Sequence, residues 1–140
     1  MHSSASFAWR AALIGSALLS LLLSQHAYAE DTGKRDYQQN CASCHGADGK
    51  GGGEAVKVIP EMNPPDLTLL SKSNGGVFPT EQVYNSIDGR QDIPSHKRFD
   101  MPFWGTTFQR TGQEFTPASD AEVKTRIMAI VNYIKSIQQK

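Results

Sequence analysis

Val123, Ile127, Ile130, Ile134 and Ile137 recur at alternating spacings of four and three, which places them on one face of an amphipathic helix near the end of the chain. Ser119, followed three residues later by Glu122, marks the expected start of that helix as a capping box, the serine accepting from an exposed backbone N–H and the glutamate reaching back. A middle helix is expected from just after Thr80 to Asp88, with Val83, Tyr84 and Ile87 turned inward and Gly89 ending it. A first helix is expected from about Thr32 toward Cys41. Long stretches rich in glycine and proline separate the three, so the pattern predicts an all-α chain of three or more helices joined by long loops.

Two of those stretches have a readable character. Residues 46–53 carry five glycines in eight positions, and each glycine costs about 0.8–1 kcal/mol relative to alanine inside a helix, so this segment is expected to be loop. No strand precedes it and no Gly-Lys-Ser/Thr ending follows, which argues against a phosphate-binding loop. Residues 59–67, Ile-Pro-Glu-Met-Asn-Pro-Pro-Asp-Leu, are expected to be extended, because each proline fixes its own φ and restricts the residue before it.

The apolar run from Ala11 to Leu23 lies after Arg10 and ahead of the small-x-small sequence Ala27-Tyr28-Ala29, the arrangement of a cleavable secretory signal. About 20 apolar residues are needed to cross a bilayer, so the run is short for an anchor. The expected division is a signal over residues 1–29 and one domain over 30–140, exported most simply to a bacterial periplasm, with no membrane span in the mature chain. Removal of the signal takes away Arg10 and leaves thirteen basic against fourteen acidic side chains. That near-neutral balance gives no basic excess for nucleic acid and no strong field to steer a highly charged partner.

Cys41-Ala42-Ser43-Cys44-His45 changes the picture from a small helical domain to a cofactor protein. Two cysteines spaced by two residues and followed at once by histidine form the attachment signature of a c-type haem. Each sulfur can form a thioether to a vinyl group, and the histidine can offer a ring nitrogen to the iron. The same pair could instead be a disulfide or a redox dithiol, but a thioredoxin-like pair belongs in an alternating strand and helix pattern, and the flanks show no β-rich runs. A structural zinc site would need further soft ligands, and the chain has only these two cysteines.

A second axial ligand is sought among Met62, Met101, Met128 and His96. Met101 is the first choice, since it lies in an irregular segment after the middle helix, Asp100-Met101-Pro102-Phe103-Trp104-Gly105, where Pro102 stiffens the approach of the thioether. Met62 is the second choice and His96 the third, the latter between Ser95 and Lys97 where a histidine is ordinarily solvated. Met128 lies beside the apolar stripe of the last helix and reads as core.

With these residues in place, the mature chain resembles a bacterial class I c-type cytochrome with a single haem. Beyond Cys41, Cys44 and His45, Gly33 and Tyr37 match the family's small and aromatic positions on the N-terminal helix, and Ile130 and Tyr133 match their partners on the C-terminal helix. The resemblance implies the small cytochrome c fold, long loops wrapped around one covalent haem c, with His45 and Met101 as iron ligands. The mitochondrial type carries a strongly basic docking face, whereas this mature chain is near neutral with Lys97-Arg98 as a local basic patch, and its only mature tryptophan is Trp104. Trp104 and Arg90 are candidate donors to the haem propionates, with ordinary packing of Trp104 and a solvated Arg90 as the alternatives. The Pro60 carbonyl is a candidate to orient the His45 ring.

The implied activity is electron carriage rather than enzymatic turnover. With both axial positions filled, the protein would pass one electron between redox protein partners, from a respiratory or dehydrogenase donor to a terminal oxidase or reductase, as a monomer or in transient complexes. A thioether ligand and an apolar pocket favour Fe(II) and a fairly positive reduction potential. The alternatives are an open iron serving as a gas sensor or weak peroxidase, and a fixed cytochrome subunit of a larger oxidoreductase.

Overall fold

The computed structural model describes residues 31–59, 61–90, 101–109 and 113–139. Among them the regular structure is helical, with no strand. The elements in order are α1 (residues 31–40), α2 (Ala42–His45), α3 (Glu54–Val58), a 3₁₀ turn (Leu67–Leu69) leading into α4 (Leu70–Ser73), α5 (Thr80–Asp88), α6 (Trp104–Thr107) and α7 (Pro117–Ser136). The expected signal segment, Pro60 and the 91–100 stretch that holds His96 lie outside the described residues.

α7 is the spine. Val123, Ile127, Ile130 and Ile134 are buried on one side of it, with Ile137 partly buried beyond them, as the four-and-three spacing predicts. Val131 and Tyr133 widen this face, and Tyr37 of α1, Val83 and Ile87 of α5 and Trp104 of α6 complete the core. Burial of each such side chain contributes about 1.5–3 kcal/mol.

The crossing of α1 and α7 depends on Gly33. A Cβ built there would strike the carbonyl oxygen of Ala129, so only glycine allows the two backbones this close. One turn further along α1, the rings of Tyr37 and Tyr133 meet with centroids 5.1 Å apart and planes inclined at 51°, a geometry favoured by the ring quadrupoles.

The boundary of α7 differs from the sequence expectation. The helix begins at Pro117, and Thr116 rather than Ser119 is its N-cap. The Ser119 amide donates to Thr116 Oγ1 at 3.2 Å, and the Thr116 amide donates to Ser119 Oγ at 2.9 Å. Ser119 thus fills the third position of the box that the sequence reading gave to Glu122, and Pro117 supplies a preset φ where a missing N–H costs nothing. α5 ends as expected at Asp88, with Gly89 left-handed at φ 68°.

Four short helices, α2, α3, α4 and α6, were not anticipated. α3 follows the glycine run directly, and α6 occupies part of the segment expected to be irregular after Met101. All are too short to show a helical period in sequence, and nucleating so few turns depends on tertiary packing. α3 packs on α2, while α6 packs on α5 and α7.

Candidate haem-attachment site

Cys41 joins α1 to α2 without breaking the chain of backbone hydrogen bonds. Its amide donates to the Tyr37 carbonyl at 2.8 Å, and its own carbonyl accepts from the His45 amide at 2.9 Å and the Cys44 amide at 3.1 Å. The five-residue motif is therefore close to one helical turn, which brings Cys41, Cys44 and His45 onto a common short element. The turn stops at Gly46, at φ 79° and ψ 150°.

The glycine-rich segment wraps back on this turn instead of leading away from it. Gly51 donates to the His45 carbonyl at 2.8 Å and Gly53 to the Cys44 carbonyl at 3.2 Å, satisfying acceptors that the end of a helix leaves open. Gly53 can do so because it has no Cβ to meet the Ala42 and Ser43 carbonyls. Tyr37 Oη donates to the Gly46 carbonyl at 2.8 Å, fastening the end of the motif to α1. Leu67 donates to the Gly49 carbonyl at 2.7 Å, so the proline-rich stretch closes over the wrap. In this stretch residues 62–66 are without helix or strand, as expected.

Both cysteines are free thiols. Cys41 belongs to the buried core and Cys44 is partly buried. Burial, with the nearby Asp36 carboxylate adding to it, pushes the Cys41 thiol up to about 12, so it is held neutral at ordinary pH. His45 is partly buried and its Nδ1 is enclosed. A cysteine pair at this spacing, with a partly buried histidine on the same turn, fits a porphyrin held by two thioethers and one ring nitrogen. Among the described residues no three His, Cys, Asp or Glu side chains converge as a separate metal site.

Met101 is partly buried and packs against the core that includes Cys41 and Trp104. Met62 stands in the extended stretch, its amide bonded to the Ile59 carbonyl at 3.0 Å, and Met128 packs against the core from α7, as the sequence pattern implies. Trp104 is buried, its ring 5.0 Å from that of Phe108 at an angle of 35°. Its apolar packing is thus accounted for within the chain.

Arg90, a candidate propionate donor with a solvated side chain as the alternative, is partly buried and held by two carboxylates. Its Nε donates to Asp88 Oδ1 and its Nη1 to Asp120 Oδ1, both at 2.6 Å. These hydrogen bonds outweigh the cost of its partial burial and raise its pKa, the Asp88 bond first. A second ion pair escaped the sequence reading: Arg126 Nε and Nη2 donate to the two carboxylate oxygens of Asp36 at 2.9 and 2.8 Å. Partners 30 and 90 residues apart leave no local signal.

The model of the family described as Cytochrome c matches residues 30–138 of the chain. No curated protein matches it. No solved structure matches it either.

Proposed function

The chain belongs to the cytochrome c family, and from that premise we propose that it is an exported single-haem electron carrier. Cys41 and Cys44 would hold haem c covalently, and His45 and Met101 would ligate its iron. The bound haem supplies reversible one-electron exchange between Fe(III) and Fe(II). The observation that carries the proposal is the Cys41–His45 turn itself: two cysteines and a partly buried histidine on one turn, fixed by Tyr37 and the glycine wrap on the core against which Met101 packs.

Each part of the chain has a defined task. α1 and α7 give the motif a rigid base through the Gly33 and Tyr37 contacts. The wrap from Gly46 to Gly53 occupies the Cys44 and His45 carbonyls, so the motif's backbone does not need water there. The Met101 segment, between α5 and α6, brings a thioether, and the apolar side chains around it keep the site poor in water, which disfavours the more highly charged oxidised state.

We further assign the signal to residues 1–29 and the site of action to the periplasm, which agrees with the Ala11–Leu23 and Ala27-Tyr28-Ala29 pattern. No helix among the described residues is long and apolar enough to cross a membrane. The electron would come from a quinol-oxidising complex or a dehydrogenase and go to a terminal oxidase or reductase.

The test is an absorption spectrum of the exported protein with and without reductant, followed by CO. Haem bands that shift on reduction and resist CO support a closed His45/Met101 site. Immediate CO binding would instead favour the open iron of a sensor or weak peroxidase, and absence of haem bands would sink the proposal altogether.

A further inference from the structure

Arg90 stands where three pieces of chain converge. Its bonds to Asp88 and Asp120 tie the end of α5 to the first turns of α7, and Lys124 reaches the other oxygen of Asp120 at 2.8 Å. The Phe115 ring lies 5.8 Å from the guanidinium carbon. The Asp88 side chain is only 9% exposed, so the pair with Arg90 is shielded from screening by solvent.

The third piece is the segment that carries Met101. Gly105 is buried against the ion pair: a Cβ there would run into the Asp88 carboxylate and lie 2.5 Å from Arg90 Nε and 2.8 Å from the Asp88 carbonyl oxygen. Two residues earlier, Phe103 presses on Gly89, where a Cβ would lie 3.1 Å from Phe103 Cα. The backbone following Met101 therefore rests on the Asp88–Arg90 pair at Gly105 and on the left-handed Gly89 at Phe103.

We propose that Arg90 is a positioning residue for Met101, setting through Asp88, Gly89 and Gly105 how closely and how firmly the methionine segment is held. This rests on the assignment of Met101 as the iron ligand. The forked guanidinium suits the task because Nε and Nη1 reach two carboxylates on different helices, which a single ammonium does not reproduce. A thioether is a soft ligand of modest strength, so small changes in the support of its segment are expected to be felt at the iron.

The experiment uses the haem-loaded protein and compares Arg90→Ala, Arg90→Lys, Met101→Ala and a control, Gln138→Ala. Gln138 joins the far end of α7 to Leu67 and Ser71, at the opposite end of that helix from Asp120. Three quantities are read: the thermal midpoint, the long-wavelength absorption band of a thioether on oxidised iron, and the rate at which imidazole displaces that ligand. Loss of a hydrogen-bonded charged support predicts about tenfold faster displacement and a weaker band in Arg90→Ala, without rescue by lysine. Gln138→Ala should lower the thermal midpoint and leave both iron readouts unchanged.

Unchanged displacement in Arg90→Ala overturns the positioning role, as does an equal acceleration in Gln138→Ala. Where Arg90→Ala does not fold, the same comparison is made with Arg90→Lys, and wild-type displacement there overturns the role equally. Persistence of the band in Met101→Ala removes the ligand assignment itself. Its loss there, with a wild-type Arg90→Ala, removes the positioning role alone.

Discussion

Gly33 lies so close to Ala129 that the α1 backbone rests on the α7 carbonyl with no space for a side chain between them. The contact sets the separation at which Tyr37 and Tyr133 meet one turn away. Gly33→Ala should therefore wedge the two helices apart, and overpacking against an unyielding backbone costs about 3 kcal/mol. The denaturant midpoint should fall accordingly, while the haem stays attached because the thioethers are covalent.

Tyr37 gives the fold an alkaline limit. Burial above all, with nearby Tyr133 and Asp48 adding to it, raises its phenol well above the ordinary 10.0. An unfolded chain then loses this proton at a lower pH than the folded chain. The stabilisation is fully present below pH 10 and is lost as pH rises from there toward the folded value. Denaturant midpoints measured across that range should fall in the wild type and fall less steeply in Tyr37→Phe. At neutral pH the phenylalanine variant should be less stable by about 1 kcal/mol, since the Gly46 carbonyl loses the phenol and keeps the Gly49 amide as its donor.

The Asp36–Arg126 pair should be worth more than an ordinary surface ion pair. It is bidentate, the Asp36 side chain is 15% exposed, and the Arg126 guanidinium lies 3.9 Å from the centre of the Phe108 ring. A double-mutant cycle with Asp36→Asn and Arg126→Gln should give a coupling of about 1 kcal/mol. Arg126→Lys should recover little of it, since an ammonium makes neither the fork nor the stack.

Loss of the α7 cap offers a local check on the revised helix boundary. Thr116→Ala should cost about 1 kcal/mol in the denaturant midpoint, whereas Glu122→Ala, which removes the glutamate from the box first expected in sequence, should have little effect.

What sequence made legible was whatever repeats along a helix or carries its own conformational rule. The apolar face of α7, the Gly89 stop of α5, and the Gly33 and Tyr37 positions on α1 all belong to that class. The haem motif was readable because its chemistry is confined to five consecutive residues. α3 and α6 were not readable, being shorter than the period that reveals a helix. The pairing of Arg90 with Asp120 was not readable because that carboxylate, 30 residues away, is brought to it by the folding of α5 onto α7. The Thr116 cap, by contrast, had a signal in Thr-Pro-x-Ser that the Ser119/Glu122 spacing obscured.

The central claim, that Cys41, Cys44, His45 and Met101 form a one-electron haem site, is tested most directly by potentiometric titration of the exported protein followed in its visible bands. A single wave at fairly positive potential is expected, with about 59 mV for each tenfold change in the oxidised-to-reduced ratio, moving to lower potential in Met101→Ala. The absence of any titrating visible band, as a bare cysteine pair exchanging disulfide for dithiol would give, or a potential unmoved in Met101→Ala, would contradict it.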